Sequence, residues 1–148
     1  MANIKVLVGS TYGNAKQVAD DCADQLNGLG HNTVVLEDPE LDEVVAEETD
    51  VLLVCTATIG LGEIPNNLMP LYAKLKDNTP LMPEKRYGVI SLGDSGYQNF
   101  ANAGKQMDEL MQELQVQRVG EPLVIDACET EDQEEAASEW VSGWAAQL

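Results

Sequence analysis

Two hydrophobic rhythms alternate along the whole chain, and that alternation limits the possible folds more than any motif within it. Ile4-Lys5-Val6-Leu7-Val8 is a short apolar run that stops at Gly9, the pattern of a buried strand. From Asn14 the period changes. Ala15, Val18, Ala19, Cys22, Leu26 and Leu29 recur at helical spacing, and Gly28 and Gly30 mark the end. Thr33-Val34-Val35-Leu36 is strand-like, and Leu41 to Val45 is a short helix or irregular link. Val51-Leu52-Leu53-Val54-Cys55 is the most continuous apolar run, which predicts the central strand. Leu68, Leu71, Tyr72 and Leu75 mark a helix, Tyr87 to Leu92 a fourth strand, and Ala103, Met107, Leu110, Met111 and Leu114 another helix. A fifth strand falls within Val116 to Asp126, interrupted near Gly120-Glu121-Pro122, and Ala137, Trp140, Val141, Trp144 and Leu148 form the last helix. Five βα units in a row predict an α/β fold, a five-stranded parallel sheet with helices on both faces.

With 148 residues, the chain is expected to be a single domain, 1–148. Leu, Ile, Val and Phe number 37 of 148, above the roughly 20% below which a highly charged chain tends to disorder. The net charge of −18 argues against nucleic acid and against anionic membrane surfaces, because both need clustered Lys and Arg. No apolar stretch is long enough to cross a bilayer, and the first residues lack the pattern of a signal peptide. Cys22, Cys55 and Cys128 are odd in number, far apart and without C-x-x-C spacing. They are expected to be free, apolar fillers suited to a reducing cytoplasm, with no metal site. Glu37 to Asp50 holds eight carboxylates and Glu129 to Glu139 holds six, both expected on solvated faces.

In open parallel sheets ligands bind beyond the carboxyl ends of the strands, where strand order reverses. Three loops leave such ends: Ser10 to Ala15, Thr56 to Glu63, and Gly93 to Phe100. The first, Gly9-Ser10-Thr11-Tyr12-Gly13-Asn14-Ala15, leads into a helix N-terminus, where free backbone N–H groups favour an anion. It carries neutral donors and no Lys or Arg, so it is not the phosphate loop of ATPases, G-x-x-x-x-G-K-[ST]. The second, Thr56-Ala57-Thr58-Ile59-Gly60-Leu61-Gly62-Glu63, contains G-x-G, but Pro65 replaces the third glycine of the dinucleotide fingerprint. The third, Leu92-Gly93-Asp94-Ser95-Gly96-Tyr97-Gln98-Asn99-Phe100, offers Tyr97 as a flat face for a planar ligand. His31, the only histidine, follows the first helix, away from these loops, and no nucleophile–base set is visible. Trp140 and Trp144 share one helical face and are expected to pack.

GSTYGNA, TATIGLGEIPNN, RYGVISLGDSGYQNF and RVGEPLVIDA together resemble the flavodoxins over essentially the whole chain, and more narrowly the short-chain bacterial MioC/YqcA type. LGDSxYxxF is the most specific of these patterns. The resemblance implies a flavodoxin-like three-layer sandwich with strand order 2-1-3-4-5 and flavin mononucleotide (FMN) at the strand 1/strand 3 switch point, the arrangement for which flavodoxin is a standard example. It implies that Ser10, Thr11, Tyr12, Gly13, Asn14 and Ala15 hold the FMN phosphate. Thr58, Ile59, Gly60, Leu61 and Gly62 would lie along one side of the isoalloxazine. Leu92, Gly93, Asp94, Asn99 and Phe100 would shape the other loop, with Tyr97 stacked on the ring. Gly60 resembles the residue whose carbonyl can turn toward the N5–H of reduced flavin. Tyr12 stands where the family usually has Thr, and Ile59 where many members have Trp or Tyr; both bear on affinity rather than on the place of the site. The implied function is a low-potential one-electron carrier, a cytoplasmic monomer that is no enzyme itself, with an NADPH-dependent flavodoxin reductase as donor and acceptor enzymes downstream. An FMN-dependent NAD(P)H:quinone oxidoreductase and a flavin-free interaction module are the alternatives. A phosphorylated receiver domain is nearly excluded, because Gly9-Ser10 and Cys55-Thr56 stand where it needs acids.

The acidity fits that function. A carboxylate about 10 Å from an added negative charge costs roughly 0.4 kcal/mol at a dielectric near 80. That is roughly 15–20 mV per carboxylate for a one-electron couple, and less in salt. An acidic surface also steers a basic partner.

Overall fold

The apolar run at the start of the chain forms β1, Asn3–Gly9, whose side chains alternate between two cores. Ile4, Val6 and Val8 face one and Leu7 the other, as the two-residue period of a strand requires. The computed structural model describes residues 2–10, 13–58, 62–94, 101–126 and 132–148. The further elements are α1 (Asn14–Gly28), β2 (Asn32–Leu36), α2 (Leu41–Val45), β3 (Val51–Ala57), α3 (Met69–Asn78), β4 (Arg86–Gly93), α4 (Asn102–Glu113), β5 (Gln117–Arg118), β6 (Leu123–Asp126) and α5 (Gln133–Ala145).

All pairings are parallel, and the strands run in the order β2-β1-β3-β4-β5, with β6 also paired to β4. β5 and β6 occupy one strand position in succession. Arg86 and Tyr87 of β4 pair with Gln117 and Arg118, and Ile90 to Gly93 pair with Leu123 to Asp126. The fifth strand is therefore real and broken where expected. Gly120 sits at φ +71, and Pro122 has no N–H to give to a ladder. The implied order 2-1-3-4-5 holds, and sequence reversal falls between β1 and β3.

Two cores sandwich the sheet. On one face Ala15, Val18, Ala19, Cys22 and Leu26 of α1 and Ala137, Val141 and Trp144 of α5 cover Ile4, Val6, Leu53, Cys55 and Ile90. On the other, Leu71 and Leu75 of α3 and Met107, Leu110 and Met111 of α4 cover Leu7, Leu52, Val54, Tyr87 and Val89. Cys22 and Cys55 are buried free thiols, as expected; Cys128 lies outside the described residues. Trp140 and Trp144 stack with centroids 5.5 Å apart, which bears out a packing role. Trp144 lies so close to Gly88 that a Cβ there would sit 2.6 Å from its Nε1. His31 Nδ1 accepts a hydrogen bond from the Ala2 N–H at 3.0 Å, securing the start of β1 after α1 has ended. Among the described residues no helix is long and apolar enough to cross a membrane, and no cluster of metal-ligating side chains occurs.

Candidate functional site

Three adjacent strands end at the same edge of the sheet. Gly9 pairs with Thr56, and Ala57 pairs with Leu92, so the chain leaves β1, β3 and β4 side by side at the β1/β3 switch point. Close packing fixes this edge. A Cβ on Gly9 would lie 2.2 Å from Thr56 Oγ1 and 2.9 Å from Leu68 Cδ2, so only glycine lets β1 pass here.

The first loop places Ser10 at its start and Gly13, Asn14 and Ala15 at its end, where α1 begins. Gly13 adopts φ +90, and its N–H donates to Ser10 Oγ at 2.8 Å. The first helical bond runs from the Gln17 N–H to the Gly13 carbonyl at 3.0 Å. The N–H groups of Asn14, Ala15 and Lys16 thus have no acceptor within the helix, and no side-chain hydrogen bond caps this terminus among the described residues. Such amides and the helix dipole suit an anion. Lys16, the one cation beside the turn, is committed elsewhere: its Nζ lies 2.6 Å from Asp20 Oδ2 and 3.8 Å from Glu37 Oε1. Its hydrogen bond to Asp20 foremost, then the charges of Asp20 and Glu37, raises its pKa against the opposing effect of desolvation. Ser10, Gly13 and Lys16 share a cleft of about 310 Å³ with Val8, Glu37, Asp38 and Asn67.

The second loop is held from α4. Thr58 Oγ1 accepts from the Ala103 N–H at 3.1 Å. Gly62, at φ +111, offers its carbonyl to Asn102 Nδ2 at 2.7 Å and to Gln106 Nε2 at 3.1 Å. The third loop begins with Leu92, buried under α5, and continues through half-buried Gly93 and Asp94. Gly104 seats α4 against β4, where an added Cβ would meet Ser91 Cβ at 2.5 Å.

Of the residues expected at the site, Ser10, Gly13, Asn14, Ala15, Thr58, Gly62, Leu92, Gly93 and Asp94 are placed along this one edge. Thr11, Tyr12, Ile59, Gly60, Leu61, Tyr97, Asn99 and Phe100 lie outside the described residues. Sequence reasoning missed Asn67, Asn102 and Gln106, which hold the first two loops in place. Asn67 belongs to the quoted segment TATIGLGEIPNN, yet nothing in that string shows which backbone groups its amide meets. A larger cavity, about 410 Å³, lies between α4 and β6 behind the anchor of the second loop, lined by Val89, Ser91, Asn102, Lys105, Pro122 and Val124 among others. It brings together none of the expected site residues.

A family model described as flavodoxin matches residues 6–140. Flavodoxin YqcA of Escherichia coli (strain K12) is 45% identical over 148 residues, spanning 100% of this chain and 99% of that protein. Protein MioC of the same strain is 33% identical over 144 residues, with 97% of each covered. Among solved structures, a cysteine-to-serine mutant of flavodoxin from Pseudomonas aeruginosa matches with a TM-score of 0.93 and 39% identity, covering 99% of this chain and 98% of that one. The strand order, the glycine-bounded loops at the switch point and these likenesses agree: the chain belongs to the flavodoxin family.

Proposed function

We propose that this protein binds FMN at the carboxyl edge of β1, β3 and β4 and serves as a low-potential one-electron carrier. One observation carries the reading: the uncapped α1 terminus, approached by neutral donors, stands at the point where strand order reverses. The donor set fits a phosphate monoester. Asn14 and Ala15 present backbone N–H groups and Ser10 a hydroxyl, while Lys16, 3.8 Å from Glu37, partly neutralises one carboxylate of the same cleft. In this reading Thr11 and Tyr12 complete the phosphate turn. Thr58 to Gly62 flank one side of the ring system, including Ile59, Gly60 and Leu61. Leu92, Gly93, Asp94, Asn99 and Phe100 form the other side, and Tyr97 stacks on the ring. Bound FMN supplies the redox chemistry. The protein's part is to hold its phosphate, orient its ring and limit its access to water.

The same reading gives the chain no catalytic residue of its own. It makes the protein a monomer of a reducing, cytoplasmic compartment, supplied by an NADPH-dependent flavodoxin reductase and serving an acceptor enzyme. The −18 charge supports a basic docking face on those partners.

Titration of purified apoprotein with FMN tests the reading. The expected result is one-to-one binding with quenched flavin fluorescence, followed in a potentiometric titration by two separate one-electron steps. Absence of FMN binding overturns it. Sustained NAD(P)H oxidation with a quinone by the holoprotein alone would replace the carrier with an enzyme.

A further inference from the structure

Asn67 lies beyond the second loop, yet its side chain is spent on the first. Its Oδ1 accepts from the Ser10 N–H at 2.9 Å. Its Nδ2 donates to the Val8 carbonyl at 2.7 Å and to the Glu37 carbonyl at 2.6 Å. Both amide protons and one oxygen lone pair are therefore in use, and the amide can sit only one way round. Reversed, it would set its oxygen against two carbonyl oxygens and its protons against the Ser10 N–H.

We infer that Asn67 is a positioning residue for phosphate binding, acting through Ser10 and Gly13. The inference rests on the FMN reading above and adds to it a residue that touches neither phosphate nor ring. Asn67 ends the β1 ladder by taking the Ser10 N–H. Ser10, so placed, turns its hydroxyl back onto the Gly13 N–H at 2.8 Å. Gly13 then enters α1 at φ +90, and the direction of the free amides of Asn14, Ala15 and Lys16 follows. The bond to the Glu37 carbonyl holds the exit of β2 beside the same turn, so one side chain fixes both the donors and the backbone of an acid that lines the same cleft. A neutral amide is needed for this. Aspartate would keep the acceptor for Ser10 but set a negative charge against two carbonyl oxygens and close to an incoming dianion.

The test compares FMN with riboflavin, which has the same ring and no phosphate. Wild type, Asn67→Ala, Asn67→Asp and Ser10→Ala are titrated with each, with thermal unfolding recorded in parallel. The expected result is a Kd for FMN raised tenfold or more in Asn67→Ala and further in Asn67→Asp, with the Kd for riboflavin changed less than threefold. The Asn67→Ala/Ser10→Ala double variant should lose less than the sum of the two single losses, because the residues act in series. Equal weakening of FMN and riboflavin overturns the inference, since a role confined to stability would produce that. So does an FMN affinity within threefold of wild type in both Asn67 variants. Amide exchange in wild-type apoprotein needs no variant: the Ser10 and Gly13 N–H groups should exchange slowly, and exchange at unprotected rates sinks the relay. Failure of wild type to bind FMN would instead remove the parent reading, and this one with it.

Discussion

The first and second loops leave neighbouring strands, but they are held by different means. The first is tied by a side chain from beyond the second loop: Asn67 grips Ser10, Val8 and Glu37. The second is tied by the helix after the third loop: Asn102 and Gln106 share the Gly62 carbonyl, and the Ala103 N–H meets Thr58. Each loop thus takes its shape from a segment later in the chain, and the edge is built as a succession of anchors rather than as separate turns. The anchors also differ in chemistry. At the first loop the anchored group is a backbone N–H, which leaves the next amides to an anion. At the second the anchored groups are oxygen acceptors, the Gly62 carbonyl and the Thr58 hydroxyl, which fixes the backbone close to the ring side of the proposed site.

The largest expected effects break the packing under both anchors. Gly9→Ala forces a Cβ to within 2.2 Å of Thr56 Oγ1, and Gly104→Ala forces one to within 2.5 Å of Ser91 Cβ. Overpacking of this kind costs about 1–3 kcal/mol, and Gly9→Ala should lie at the upper end because β1 is hemmed in by both Thr56 and Leu68. Urea midpoints measure both. Ser91→Gly should restore most of the stability lost in Gly104→Ala and none of that lost in Gly9→Ala. Rescue of both would show that the two supports are not independent, and rescue of neither that the Gly104→Ala loss does not arise at Ser91.

Next is the second anchor itself. Asn102→Ala with Gln106→Ala removes both donors to the Gly62 carbonyl, at about 1 kcal/mol for each bond. FMN and riboflavin should weaken together in this variant. A loss confined to FMN would erase the distinction between an anion-holding loop and a ring-side loop.

A smaller effect concerns the frame that carries α4. Tyr87 Oη donates to Asp108 Oδ1 at 2.5 Å, and Arg118 Nη1 lies 3.1 Å from Asp108 Oδ2, linking β4, α4 and β5. Burial first, then the bond to Asp108, pushes the Tyr87 phenol up from its usual value. A phenol that ionises later in the folded state lends stability below about pH 10, and that stability fades as the pH climbs above it. Tyr87→Phe should cost about 1–2 kcal/mol at neutral pH and flatten the decline in stability above pH 10. An unchanged alkaline profile would show that the link contributes nothing to the seating of α4.

The least change is expected beneath the first loop. The Cys55 thiol donates to the Ala15 carbonyl at 3.4 Å in the sealed core under α1. Burial foremost pushes the Cys22 thiol up to about 12, with Asp21 adding to it, and burial raises Cys55 as well. Neither should be alkylated by iodoacetamide at pH 8 in the native protein, as read from the mass of their peptides, because the reactive thiolate is scarce and shielded. Rapid labelling of Cys55 would mean that the base of the first loop opens.

Much of this could be read along the chain. Val51 to Cys55 is apolar without a break because β3 is covered on both faces, and Leu41 to Val45 matches α2 at both ends. The switch from a two-residue to a 3.6-residue period at Asn14 marks α1 because the same apolar groups must face one core in two different geometries. Gly120 and Pro122 announced the break between β5 and β6 through backbone freedom and a missing donor. The three loops were found from their glycines and from the strands they follow.

The anchors were not legible. Asn67 meets Ser10 across 57 residues and Val8 across 59, and Asn102 meets Gly62 across 40. An asparagine in a loop carries no periodicity that names its partner, and many polar residues there simply face water. Local sequence determined which segments are strands, which are helices and where the chain must turn, because those depend on side-chain spacing and on allowed backbone angles. The tertiary structure alone decided which distant amide meets which backbone group. Such a bond forms only after sheet order has brought the segments together, and its direction rests on an arrangement of donors and acceptors that exists in no single stretch of chain.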